Sequence, residues 1–316
     1  MTHFIKNKNG TALVITLFVI AALTTLAVAF SHDTGIELNL TEYSRDSRFA
    51  HQLACSGANL AIALLDQDEN RDVDNLDETW AQFNEETIPW KLEEDSSLKG
   101  RISDENSKLD LNKLIDKDVE KFKENVKRLQ RLFSALGIEK SQADPIVDWL
   151  DEDDVEEFDG AEDLYYQSLD TPYNCANGPF ITIRQVYMVK GIADIIKNLE
   201  KEGKNLFDYI TIYGDGYINI NTASVEVLQS LHEDIDEDLA QSIVEFRKDI
   251  PYTQKEELKD VTGIEELFDD IDELITVNSN RFSISMESVY RTSKSNVTAI
   301  VERNNEDVKL IYWQAK

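Results

Sequence analysis

Two hydrophobic patterns lie end to end at the start of the chain, and both read as helix. Residues 11–30, TALVITLFVIAALTTLAVAF, run for twenty positions without a charge. At about 1.5 Å per residue such a helix spans roughly 30 Å, the depth of a bilayer core. From residue 36 to residue 65 there is no proline and the pattern changes: Phe49, Leu53, Leu60 and Leu64 share one face, while Cys55, Ala58, Ile62 and Leu65 form a second row. That spacing predicts a helix whose last turns are buried nearly all round. The next stretch, 66–95, is polar and acidic, with Trp80, Phe83 and Trp90 as docking points. LKGRISDENSKLDL, over 98–111, reads as strand, polar turn and strand. Helical patterning begins at Asn112 and continues with breaks to about residue 274. Period two returns over 281–316 in FSISMESVY, VTAIVER and VKLIYW, with a turn at 304–307, and predicts an antiparallel meander.

This order predicts an α+β fold, in which a long N-terminal helix and an antiparallel sheet are interrupted by a large inserted all-helical domain. The insertion repeats itself. Asp110-Leu111-Asn112 corresponds to Asn219-Ile220-Asn221, IVDW ending at Trp149 to IVEF ending at Phe246, and GPFITIRQVYMVKGI to DIPYTQKEELKDVTGI. The second copy resembles helix-hairpin-helix modules, so two helix-hairpin-helix/SAM-like repeats are expected, with Thr222 or Ser224 capping a helix. Its hairpin, HEDIDED from His232, holds five carboxylates and no glycine. A phosphate would be repelled there.

Charge narrows the function. The chain carries 62 acidic against 32 basic residues, a formal net charge of -30. Nucleic acid is therefore not an expected partner. The two cysteines, Cys55 and Cys175, form no CxxC motif, and HExxH, GxSxG and GxxxxGK[ST] are absent. Nothing positive argues for an enzyme. Residues 148–163, DWLDEDDVEEFDGAED, pack ten carboxylates without a base. Calcium takes about six to eight oxygens, and Asp151, Asp153, Asp159, Glu162 and Asp163, set around Gly160, offer such a group. The alternative is a solvated acidic loop. Cys55 and Cys175 either pair in an oxidising compartment or stay apart, Cys55 as a buried thiol.

The short lysine-containing segment ending in Gly10, followed by a retained apolar helix, resembles the prepilin pattern of type IV pilins and type II pseudopilins. Beyond it, ISDENSKLDLN, IVDWLDEDD, GAEDLYY, PYNCANGPF with VKGI, and YGDGYININTASVEVL resemble the K-type minor pseudopilin of type II secretion in order along the chain. The resemblance implies a leader over 1–10, cleavage between Gly10 and Thr11 by prepilin peptidase, and N-methylation of Thr11. Family members usually begin with Phe, so Thr11 is a departure. Ile15 stands where most pilins place a glutamate, a departure typical of the K type. The implied divisions are a transmembrane helix at 11–30, the rest of the helix and first strands of a pilin-like domain at 31–112, the inserted domain at 113–280, and terminal strands at 281–316.

The resemblance also implies calcium binding, partnership with I- and J-type minor pseudopilins, and a place at the tip of the pseudopilus. It implies a single pass through the inner membrane, a periplasmic C-terminal domain, and later transfer into the filament. Secreted substrates are further candidate partners. Three rival readings are a minor pilin of a type IV pilus, a DNA-uptake protein and an anchored periplasmic hydrolase.

Overall fold

A computed structural model of the protein describes residues 8–83, 95–304 and 307–316. Trp90, the centre of the turn expected at 304–307 and most of the 1–10 segment lie outside the described residues. Helix α1 (Lys8–Asp66) is continuous for 59 residues. Its residues 11–30 are exposed throughout, and this is the one helix among the described residues long and apolar enough to cross a membrane. Burial sets in with Asp46 and then follows Ala50, Leu53, Ala54, Ala58, Ala61 and Leu65. These positions recur at three- and four-residue steps, and their small side chains let the helix axis approach a sheet closely. The end of α1 is not buried all round as expected: Leu60, Ile62 and Leu64 are half-buried and His51 and Asn59 exposed, because the sheet covers one face only.

After α1 the short helix α2 (Thr79–Gln82) sets Trp80 into the same core, edge-on to Phe282 at 5.0 Å. The Trp80 indole N–H donates to Glu78 Oε2 at 2.6 Å. Strand β1 (Ser96–Asp104) follows. The second strand expected near 109–111 exists, but it does not pair with β1. A 3-10 turn at Glu105–Ser107 carries the chain out of the sheet, and β2 (Leu109–Asp110) runs parallel to β3 (Ile210–Thr211) inside the head.

The head holds α3 (Val119–Ala135), α4 (Asp144–Leu150), α5 (Asp163–Gln167), α6 (Ile192–Lys201), α7 (Val225–Gln229), α8 (Glu237–Asp249) and α9 (Phe268–Ile271). A second two-stranded parallel pair joins β4 (Ile218–Asn219) to β5 (Ile275–Thr276), so the head is helical but not purely so. Its core runs from Leu109 to Ile275, separate from the core beneath α1.

The sequence repeat is a physical one. Asn112 holds the backbone of Phe180 with both ends of its amide, at 2.8 and 3.0 Å. Asn221 holds Tyr252 identically, at 2.9 Å on each side. Trp149 stacks on Phe180 at 6.0 Å and Phe246 on Tyr252 at 5.3 Å. Gly191 and Gly263, at φ of 80° and 100°, make the same left-handed turn into the next segment, a conformation glycine adopts freely. Each asparagine closes a chain crossing that hydrophobic contact alone would leave with bare amides. Asn221→Ala would strand the buried N–H and C=O of Tyr252. It is expected to lower stability by about 2–4 kcal/mol in urea unfolding of the full chain.

The chain re-enters the sheet through β6 (Arg281–Tyr290), β7 (Ser293–Arg303) and β8 (Val308–Ala315), giving the antiparallel order β1-β6-β7-β8. The inner face presents Leu98, Ile102, Phe282, Ile284, Met286, Val297, Ala299 and Val301 to α1. The two crossings into the head lie side by side, knit by buried polar groups. Asp104 Oδ2 accepts from Thr222 Oγ1 at 2.5 Å, Ser279 Oγ at 2.7 Å and Asn219 Nδ2 at 3.3 Å. Asp74 accepts from the Ser279 N–H at 2.7 Å and from Arg303 at 2.5 Å. The other arm of Arg303 reaches Asp68 at 2.6 Å.

Candidate functional site

The acidic loop connects α4 to α5. Pro145 in the first turn suits the start of α4, since proline lacks only an N–H that would be free there. The helix ends by directing Asp148 inward. This carboxylate is fully buried and accepts from the N–H groups of Ala161 at 2.6 Å and Glu157 at 3.1 Å. Gly160 leaves the space it occupies, and a Cβ at that position would overlap it. Lys190 donates to the carbonyls of Asp159 and Gly160, at 3.1 and 2.7 Å, and pins the far side of the loop. Asn177 donates to the Asp153 carbonyl at 3.2 Å and the Asp154 carboxylate at 3.1 Å.

Four oxygens inside this scaffold are buried without a hydrogen-bond partner: Asp151 Oδ1, both carboxylate oxygens of Glu162, and Asn177 Oδ1. All are acceptors, and buried acceptors left bare are costly. Burial, followed by repulsion from Asp153, Asp148 and Glu157, pushes Asp151 up to about 7. Burial and the fields of Asp148, Asp151 and Asp154 push Glu162 up to about 7 as well. Against these fields stand only a backbone hydrogen bond from Asp153 to Asp151 and a thiol hydrogen bond from Cys175 to Glu162. A group of hard, underbonded oxygens under mutual repulsion has the chemistry of a site for a hard divalent cation.

Of the residues expected as ligands, the structure places Asp151 and Glu162 in one another's field and Asp153 beside Asp151. Asp163 is already bonded, its carboxylate accepting from the Cys175 N–H at 2.7 Å and from Gln167 Nε2 at 3.4 Å. Asp159 meets the loop through its backbone, the N–H donating to Asp144 at 3.2 Å and the carbonyl accepting from Lys190. Asp154 and Asn177 were missed. The sequence signal for Asn177 is its place in PYNCANGP, 23 residues from Asp154 and so invisible to a reading of the loop alone.

One carboxylate trio among the described residues, Asp68, Asp74 and Glu78, has ligand oxygens all within 4.8 Å of one another. Arg303 already bonds two of its members. A guanidinium therefore fills the role a metal would take there.

Comparison with known proteins identifies the family. The family model for type II secretion system protein K matches residues 107–201, and a helix-hairpin-helix motif model matches 215–276. Type II secretion system protein K of Pseudomonas aeruginosa is 30% identical over 255 residues, covering 77% of this chain and 73% of that protein. The chain belongs to the type II secretion system protein K family. The Aeromonas hydrophila protein of the same name is 29% identical over 204 residues, 60% of each chain. A solved chain from the crystal structure of the GspK-GspI-GspJ complex of enterotoxigenic Escherichia coli shares the fold. Its TM-score is 0.58 at 18% identity, over 90% of this chain and 99% of that one.

The K-type minor pseudopilin assigned from sequence is thus the right family, and the helix-hairpin-helix resemblance of the second repeat holds over 215–276. Ser224, not Thr222, caps α7, accepting from the Val227 N–H at 3.3 Å, while Thr222 is turned to Asp104. In the hairpin His232 lies between Asp234 and Asp270, at 3.7 and 3.8 Å.

Of the two alternatives left open for Cys55 and Cys175, the structure has them apart, as free thiols. Cys55 packs at the core beneath α1, whereas Cys175 is buried in the head core with Sγ 3.5 Å from the Asp148 carbonyl. The two cores are separate, so no disulfide bridges them.

Proposed function

We propose that this chain is the tip subunit of a type II secretion pseudopilus, complexed with I- and J-type minor pseudopilins, where it starts assembly and supports export across the outer membrane. The observation that carries this reading is the division of α1. Its first half exposes Leu13, Leu17, Phe18 and Leu26, while its second half is built into the sheet. An apolar helix with a folded body on one end can leave lipid and pack among other such helices without unfolding. The head forms a separate body inserted between β1 and β6, so it adds bulk to the subunit without lengthening the sheet.

In this reading the segment before Thr11 is a leader removed by prepilin peptidase, and the new terminus is methylated. Until assembly the chain sits in the inner membrane with its body in the periplasm. Ile15 leaves no carboxylate for a neighbour's terminal amine, which suits a subunit with nothing stacked above it. The acidic loop binds calcium through Asp151, Glu162 and Asn177, with Asp153 and Asp154 adding charge. The partners follow the complex named for the structural relative.

The test is co-expression of the full chain with its I- and J-type partners, followed by detergent extraction and affinity purification. A stoichiometric ternary complex is expected. Recovery of the chain alone would refute the tip reading.

A further inference from the structure

The sheet has an outer face, turned away from α1, which the head overhangs. Between them lies a cleft of about 900 Å³. Ile183, Tyr187 and Phe207 of the head form its roof, Tyr213 its inner wall, and Ile300 and Tyr312 its floor. Tyr187 lies 5.4 Å from Phe207 and Tyr213 lies 6.2 Å from Tyr312. Arg184 stands at the lip, exposed and without an ion pair among the described residues. The other cation of the cleft, Lys108, is already paired with buried Glu105 at 2.8 Å. In a chain of net charge -30, an unpaired guanidinium over an aromatic cleft is a local exception that favours a carboxylate.

The floor ends at β8, which is the last strand of the sheet. Edge strands in stable proteins are usually shortened, charged or covered. This one has eight residues with Lys309 as its one charge and no proline, and Leu310 and Ile311 are 53% and 46% exposed. A register shift between Ile300 and Val301 bends its first part, beyond which the ladder is regular.

Asn296 and Lys316 exchange backbone bonds at 2.8 Å in each direction. Paired and unpaired positions alternate from there, so Gln314 and Tyr312 bond β7 while Ala315 and Trp313 aim their N–H and C=O away from it. Those outward groups alternate along the strand with Tyr312 and Gln314, which line the cleft.

We propose that the cleft and the edge of β8, unpaired among the described residues, are one docking site for an extended, mainly apolar segment of another protein that carries a carboxylate. The segment adds to β8 as a further strand, sets alternate side chains among Tyr187, Phe207 and Tyr312, and places its carboxylate on Arg184. Main-chain bonds supply register, the aromatic cleft supplies apolar contact, and the guanidinium fixes direction.

The test uses the full chain in detergent micelles and a fluorescent heptapeptide alternating threonine and valine, as the free acid and as the carboxamide. The acid is expected to bind with a Kd of about 100 μM and to slow hydrogen exchange at the Trp313 and Ala315 amides by roughly tenfold. Arg184→Ala should erase the preference for acid over amide, expected at about fivefold. Ala315→Pro removes one outward N–H without touching the β7 ladder, and should weaken binding by about tenfold with an unchanged melting temperature. Should that variant lose its fold, the exchange pattern and Arg184→Ala still decide the matter. Unchanged exchange at about 1 mM peptide would overturn the proposal. So would protection of the edge that rises with protein concentration in the absence of peptide, which would show a second copy covering it.

Discussion

Calcium is expected to raise the melting temperature of the full chain by roughly 5 °C at a concentration of about 100 times its dissociation constant. Magnesium should do much less. The chelated protein keeps Asp151 Oδ1, the Glu162 carboxylate and the Asn177 carbonyl oxygen buried and underbonded. A seven- or eight-coordinate ion satisfies such oxygens together, whereas the smaller magnesium demands a tight octahedron and keeps its own waters.

The informative variants are Asp151→Asn and Glu162→Gln. Each brings an amide donor and removes a charge from a cluster that repels itself. Without calcium each should therefore be at least as stable as the parent, and with calcium neither should gain. A loop that was merely solvated would give the same results for both variants, but calcium would then leave the parent unchanged as well. Gly160→Ala should act differently, displacing Asp148 from two backbone N–H groups and lowering stability with or without the ion, by about 2–3 kcal/mol. Differential scanning calorimetry in chelator and in calcium separates these outcomes.

The second large effect is expected at Arg303. Its side chain is 1% exposed, bonds Asp74 and Asp68, and lies over the Phe282 ring at 4.7 Å. Arg303→Met should cost about 3–5 kcal/mol, because it leaves a fully buried Asp74 without its counter-ion. The pH dependence of stability tests the same junction. Burial pushes Asp74 up to about 7, against the pull of Arg303, and Asp104 up to about 6, against hydrogen bonds from Thr222, Ser279 and Asn106.

Both are acids whose folded value lies above the unfolded one, so the native state binds the extra protons. Their contribution is fully present below about 4 and is lost as pH rises through 6 and 7. Stability measured in chelator should therefore rise from pH 8 toward pH 5. In Arg303→Met the rise should be steeper, since Asp74 then has only Ser279 and protonation to relieve it. A flat profile in both proteins would show that the pair stays charged down to about pH 5.

Much of this architecture was legible along the chain for a simple reason. Helix and strand are written in local periods, and α1 and β6 to β8 are long enough for those periods to stand out. The repeat was legible too, because Asn112 and Asn221 perform the same backbone clamp. Short elements were harder. β2 reads as the return strand of a hairpin with β1, yet its two residues pair with β3, and only the path of the chain through the 3-10 turn decides between them.

The charged groups show where local reading stops. Ten carboxylates stand alike in residues 148–163, but Asp148 and Glu162 are buried while Glu152 and Glu156 are exposed. Nothing in their order separates them, because burial depends on how Gly160, Lys190 and Asn177 close the loop. Asp74 and Arg303 are 229 residues apart and look like two ordinary surface charges until the sheet brings them together. Cys55 and Cys175 suggest a bridge, yet they end in different cores. Backbone periodicity is a property of neighbours and can be read from them, whereas pairing, desolvation and access to an ion depend on chain closure across hundreds of residues, and those were settled only by the folded structure.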